Sequence, residues 1–173
     1  MISEQMVEAL NKQLNKEFYS AYLYLNISNY FYNQDLNGYG NYFTVSAQEE
    51  EAHASLIRDY LIYQGAMVEL EAIQKPAVNL SDVKQILELV VAHERGITKS
   101  IYEIYTLAEA EKDYATRQYL DWFVKEQVEE ESQAEAMVKR YELFGKEGKG
   151  LMQLDNELKA AVFTAPAKLV TID

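Results

Sequence analysis

The apolar positions of this chain recur in steps of three and four, the spacing that keeps one stripe of a helix facing a common core. The first stripe reads Val7, Leu10, Leu14, Glu17, Ala21, Tyr24 and Ser28. It predicts a helix over about 3–33, with Ser3 as N-cap and Glu4 in the first turn, where the helix dipole favours an acid. A second stripe, Phe43, Ser46, Glu50, His53, Ile57 and Tyr60, predicts a helix over about 38–64 that stops at Gly65. The third, Val83, Leu87, Val90, Glu94, Ile97, Ile101, Ile104 and Ala108, predicts one over about 81–110 behind a Ser81 cap. A fourth helix, about 113–144, carries Thr116, Leu120, Phe123, Gln127, Glu130, Ala134, Met137, Tyr141 and Phe144 on its stripe. A short amphipathic helix follows over about 151–161, and the tail, 162–173, has no assigned element.

Four such segments pack as an all-α, four-helix bundle within a single domain spanning 1–173. The breaks at Asn33–Gly38 and Glu111–Asp113 are short, so each joins antiparallel neighbours. The stretch from Ala66 to Leu80 is different. It holds Pro76 and has no helical period. About 15 residues at roughly 3.3 Å each reach along a helix roughly 40 Å long. A crossover that makes the second and third helices parallel is the expectation; a folded-back loop is the alternative.

The chemistry lies where the stripes stop being apolar. Glu17, Glu50, His53, Glu94, Gln127 and Glu130 all interrupt their seams at mid-helix. Glu50 follows Glu17 by 33 positions, and Gln127 follows Glu94 by 33; His53 and Glu130 each lie three further on. Each hairpin therefore brings its polar positions to one height. Glu-x-x-His places a carboxylate and an imidazole on one helix face, although the pattern alone is common in acidic helices. Four carboxylates in one layer repel one another unless protonated or neutralised, and the seams hold no Lys or Arg at that level. A cation is the remaining partner. Mostly carboxylate oxygen with a single imidazole suits iron or manganese better than zinc, magnesium or calcium. The alternative is a polar layer that only fixes bundle register, which explains one seam Glu more readily than five residues at equivalent positions.

Composition narrows the picture further. The formal net charge is -12, which argues against nucleic acid or an anionic membrane as partner and suits a protein that attracts cations. With no cysteine, thiolate zinc sites, iron–sulfur clusters and disulfides are excluded. No apolar run approaches the roughly 20 residues that span a bilayer. Nothing N-terminal reads as a signal peptide, so the cytoplasm is the expected location.

At this point the arrangement resembles the non-haem ferritins of bacterial and archaeal type, within the ferritin-like di-iron bundles. The resemblance covers about residues 3–162. It rests on Asn11 to Glu17 followed by Tyr24, on Gln48-Glu49-Glu50-x-x-His53, on His93-Glu94, and on Trp122-Phe123-x-x-Glu126-Gln127-Val128-Glu129-Glu130-Glu131. The resemblance implies that Glu17, Glu50 and His53 bind one iron, and that Glu50 bridges to a second held also by Glu94 and Glu130. Gln127 and Tyr24 would stand just behind these ligands, with a half-buried packing role as the equal alternative for Tyr24. Glu49, Glu126 and Glu129, with Glu130, match a third iron site that passes iron onward. The implied activity is ferroxidase: ferrous iron oxidised by dioxygen, or peroxide, and stored as ferric mineral in a homo-oligomeric shell of about 24 chains. No haem is expected. The haem-containing relatives repeat Glu-x-x-His in the second hairpin, where this chain has Gln127-x-x-Glu130, and carry a haem-ligating Met where it has Glu51.

Other residues invite simpler readings. His93 lies about 100° off the seam and reads as a solvent-facing or supporting residue. Trp122 reads as packing. Phe18, Tyr19, Tyr22, Leu23, Tyr30, Phe31 and Tyr32 exceed what one bundle stripe buries, which predicts a subunit interface. Two other functions compete: a cage subunit that only nucleates mineral, and a monomeric or dimeric di-iron redox enzyme.

Overall fold

Two apolar cores separated by a polar layer organise the chain, as seen in a computed structural model that describes residues 2–172. Among the described residues there are five α-helices: α1 (Glu4–Asn33), α2 (Asn37–Tyr63), α3 (Val83–Glu111), α4 (Tyr114–Arg140) and α5 (Gly148–Leu158). The first core joins Leu10 and Leu14, Ile57 and Leu61, Ile101 and Ala108, and Leu120 and Phe123. The second joins Ile27 and Phe31, Tyr39 and Phe43, Ile86 and Val90, and Ala134 and Leu154. The first half of α1 thus meets the second half of α2, the second half of α3 and the first half of α4. α1 and α4 run one way and α2 and α3 the other. The segment between α2 and α3 therefore crosses the full length of the bundle, as expected of a ferritin-like fold.

Local chemistry sets the helix ends. Ser3 caps α1, accepting from the Met6 amide at 3.0 Å. The cap of α3 is Asp82 rather than the expected Ser81; its carboxylate accepts from the Gln85 amide at 3.1 Å. α2 stops at Gly65, whose φ of 70° suits a glycine. At the start of α2 the N-cap position, Leu36, offers no side-chain acceptor. Asp155 of α5 supplies it: Oδ1 accepts from Gly38 N at 2.7 Å and Tyr39 N at 3.1 Å. A Cβ on residue 38 would lie 1.6 Å from the Asp155 carbonyl oxygen, so only glycine lets the two elements approach.

Several boundaries differ from the periodicity. α4 gives way at Arg140 to a π-type turn over Tyr141–Gly145, and Phe144 is 57% exposed instead of lying on the seam. The short helix begins three residues earlier than expected. It ends at Leu158 because Asn41 Nδ2 takes the carbonyl of Ala161 at 2.9 Å and that of Leu158 at 3.4 Å. The crossover is pinned to α1 by Asn11, which donates to Met67 O at 3.0 Å and accepts from Glu69 N at 2.8 Å. In the tail, Leu169 and Val170 pack against the first core. Of the apolar surplus on α1, Leu23 and Phe31 are core residues, while Tyr22 and Tyr32 remain exposed at 49% and 42%.

Candidate metal centre

The layer between the cores is polar because every long helix breaks its stripe there. α1 contributes Glu17, α2 Glu50 and His53, α3 Glu94 and α4 Gln127, all buried. Glu130 on α4 is nearly so, its side chain 17% exposed. Three sets of ligand atoms each lie within 4.8 Å of one another: Glu17, Glu50 and His53; Glu50, Glu94 and Glu130; His53, Glu126 and Glu130. Glu50 belongs to the first two sets and so stands between them. His53 Nδ1 lies 3.5 Å from Glu50 Oε2 and 3.8 Å from Glu130 Oε1.

Packing four carboxylates this way makes their charge expensive. Burial pushes Glu17 up to about 8, and the charge of Glu50 adds to the effect. Burial likewise carries Glu50 to about 8, offset in part by the adjacent Glu17 carboxyl. Glu94 rises to about 7 through burial, moderated by the hydrogen bond from Gln127. Glu130 stands well above the usual carboxylate range through burial and then the charges of Glu50 and Glu94. Glu17 Oε2, Glu50 Oε2 and Glu130 Oε2 are buried without any hydrogen-bond partner. Buried polar atoms are ordinarily satisfied, so three orphaned carboxylate oxygens in one layer mark a candidate cation site, and the oxygen-rich set with one imidazole has the donor chemistry that suits iron.

Glu17 Oε1 and both carboxylate oxygens of Glu94 are held. Gln13 Nε2 donates to Glu17 Oε1 at 2.8 Å. Tyr24 Oη donates to Glu94 Oε1. Gln127 Nε2 is shared between Glu94 Oε2 and Thr98 Oγ1, both at 3.3 Å. A cavity of about 30 Å³ opens beside the layer, lined by Tyr24, Tyr42, Glu49, Glu50, Glu94 and Glu130. It admits a water-sized molecule.

The residues expected around a third ion are only partly gathered. Glu126 joins His53 and Glu130 within ligand reach. Glu49 is half-buried; burial raises its pKa, and the charges of Glu126 and Glu129 add to this against the pull of His53. Glu129 is exposed, accepts from Gln133 Nε2 at 3.2 Å and lies outside the three ligand sets. His53 stands in that group instead, because one turn of α4 brings Glu126 and Glu130 to the same face as the imidazole.

His93 is not solvent-facing. Its Nε2 meets Ser20 Oγ at 2.8 Å, and its ring packs edge-on against Tyr24 with centroids 5.8 Å apart. Burial lowers its pKa to about 4, so it is neutral. Trp122 packs edge-on against His53 at 5.5 Å and limits the tilt of that ring. Sequence reasoning missed Gln13, Thr98 and Ser100. Gln13 stands four residues before Glu17 on the same helix face, a signal that was available; Thr98 and Ser100 reach the layer from α3 and have no comparable signature.

The bundle, its crossover and this oxygen-rich layer with a single histidine define a ferritin-like protein. A family described as Ferritin-like domain matches residues 7–144, and the chain belongs to that family. It is 37% identical over 159 residues to the bacterial non-heme ferritin of Campylobacter jejuni, covering 92% of this chain and 95% of that protein. To the bacterial non-heme ferritin of Staphylococcus aureus it is 32% identical over 163 residues, with 94% and 98% covered. Among solved structures it is similar to an open pore ferritin of Archaeoglobus fulgidus, with TM-score 0.91, 42% identity, and 94% and 100% of the two chains covered. A humanized archaeal ferritin gives TM-score 0.93 and 43% identity, covering 95% of this chain and 99% of that one. Among the described residues, no helix is long and apolar enough to cross a membrane.

Proposed function

We propose that this chain stores iron, oxidising ferrous ions with dioxygen in the polar layer and depositing the ferric product inside a shell of about 24 copies. The observation that carries this reading is the convergence of three unpartnered buried carboxylate oxygens, on Glu17, Glu50 and Glu130, around His53. Glu17, Glu50 and His53 hold one ferrous ion, and Glu50, Glu94 and Glu130 the other. Paired ions in such sites stand about 3.5–4 Å apart.

The protein's part is to bind, orient and manage protons. Each carboxylate that enters protonated gives up its proton when an ion arrives. Two ferrous ions then each lose one electron: 2 Fe²⁺ + O₂ + 2 H⁺ → 2 Fe³⁺ + H₂O₂. Gln127, which already touches Glu94, orients that carboxylate. The cavity beside Tyr24 and Glu130 is the place for the oxidant. Glu49 and Glu126, with Glu129 further out, form an acidic path that draws the ferric product away from the pair. Hydrolysis outside the bundle completes the sequence: Fe³⁺ + 2 H₂O → FeO(OH) + 3 H⁺. The exposed Tyr22 and Tyr32 on α1 belong to the contact between copies.

Anaerobic titration with ferrous iron tests the reading, with bound ions counted per chain and particle mass measured alongside. Two tightly bound ions per chain on a particle of about 24 chains is the expected result. A monodisperse monomer or dimer at micromolar concentration removes the shell; no tight ion removes the centre.

A further inference from the structure

Glu17 is held from the protein surface by a chain of three side chains. Lys16 Nζ donates to Ser100 Oγ at 2.5 Å. Ser100 Oγ donates to Gln13 Oε1 at 2.5 Å, and Gln13 Nε2 donates to Glu17 Oε1 at 2.8 Å. Gln13 and Ser100 are buried, 1% and 6% exposed, while Lys16 is at the surface. Chemistry alone sets the direction. An ammonium only donates, so Ser100 must accept from it and turn its own proton to Gln13. The amide then has to present its carbonyl to Ser100 and its NH₂ to Glu17. One carboxylate oxygen of Glu17 is thereby fixed as an acceptor, and the other, Oε2, is left buried and free.

The opposite side of the layer is built the other way. Gln127 Nε2 reaches Thr98 Oγ1 at 3.3 Å, and Thr98 Oγ1 donates to Glu131 Oε1 at 2.5 Å. That chain ends on an acceptor, so its protons point away from the centre. Glu94 also has a donor on each oxygen, Tyr24 on Oε1 and Gln127 on Oε2. Glu17 Oε2 has no hydrogen bond to compete with an ion, whereas each oxygen of Glu94 already accepts one.

The geometry points to Lys16, Ser100 and Gln13 as positioning residues that aim Glu17 Oε2 at the ion shared with Glu50 and His53. They act on the ion at that half of the centre and leave the other half untouched. None of the three touches the ion; each acts through Glu17. This rests on the two-ion reading above. Removing such an outer partner typically weakens metal affinity about 10–100-fold, and here the loss falls on one ion of the two.

The test is anaerobic titration of the whole protein with cobalt(II), which is spectroscopically visible and is not oxidised during the measurement. The wild-type protein takes up two ions per chain in separable steps. Ser100→Ala cuts the chain without changing charge and lowers the affinity of the ion with nitrogen ligation about tenfold or more, while the other shifts less than twofold. Lys16→Met gives the same pattern from a surface position, so folding is not at issue. Ser100→Thr keeps the hydroxyl and restores binding. Lys12→Met, one turn away in an exposed pair with Glu8, removes the same charge and changes neither ion, which separates the relay from long-range electrostatics. Unchanged affinities in Ser100→Ala and Lys16→Met overturn the relay alone, as does an equal loss at both ions. A wild-type protein that binds no cobalt overturns the two-ion centre and the relay with it.

Discussion

The phenol of Tyr24 on α1 donates its hydrogen bond to Oε1 of Glu94 on α3, 70 residues further along the chain. The ring that carries it is wedged between Phe43, with centroids 5.8 Å apart, and His93, also at 5.8 Å. Glu94 is thus aimed by a rigid aromatic group rather than by a flexible one. Tyr24→Phe keeps the packing and deletes the hydrogen bond. Both ions should still bind, but the first oxidation phase should slow about tenfold. Stopped-flow absorbance after mixing the ferrous-loaded protein with dioxygen checks this; an unchanged rate assigns Tyr24 to packing alone.

The buried carboxylates make the metal-free protein sensitive to alkali. Glu17 and Glu50 titrate at about 8 in the fold, against about 4.3 for an unperturbed Glu. Between those values the native state holds more protons than the unfolded chain, so stability falls as pH rises. Without metal, the melting temperature should be higher at pH 5.5 than at pH 8. Each kcal/mol corresponds to about 2–4 °C for a chain of this size. Excess zinc, which is redox-silent, should bind only the deprotonated native centre and reverse the trend. A metal-free melting temperature that rises from pH 5.5 to pH 8 contradicts the assignment of the shifts to burial.

Asp155 makes a separate prediction about the fold. It is buried on α5 and is the acceptor for the first amides of α2. Asp155→Ala should cost about 0.5–2 kcal/mol, the usual loss for a helix cap, read as a lower melting temperature. Because Asp155 lies in the far core and not in the polar layer, the number of ions bound per chain should stay the same. Loss of metal binding in this variant would mean that α5 positions the centre as well as α2.

Glu130 and the outer acids should separate cleanly. Glu130 supplies a ligand atom to two of the three sets and carries an orphaned oxygen, so Glu130→Ala should abolish the fast paired step and leave slow oxidation. Glu49→Ala with Glu129→Ala should keep a full first burst and change only later turnover and the number of irons oxidised per dioxygen. An oxygen electrode run beside the stopped-flow trace distinguishes the two. If the double variant loses its burst, all these acids act as one centre.

Much of this was legible in the chain because the same periodicity that makes a bundle also marks its exceptions. Glu17, Glu50, His53, Glu94 and Glu130 stood out as polar residues on apolar seams, and an equal spacing of 33 within each hairpin placed them at one height. Supporting contacts were harder. Ser100 and Thr98 are small polar residues on α3, common at any helix position, and their roles depend on how α3 meets α1 and α4. Asp155 was invisible as a cap because it serves a helix more than a hundred residues earlier. The grouping of Glu126 with His53 rather than with Glu129 depends on the rotation of α4, which a period of 3.6 fixes only to within a residue or so.

The central claim is that two ferrous ions are bound side by side in one chain and oxidised together. Rapid mixing of the metal-free protein with increasing ferrous iron under dioxygen, recording burst amplitude and dioxygen consumed, tests it most directly. The account predicts a burst that saturates at two irons per chain with one dioxygen consumed per pair, and that disappears in His53→Ala. A burst that saturates at one iron per chain, or one that survives His53→Ala at full amplitude, contradicts it.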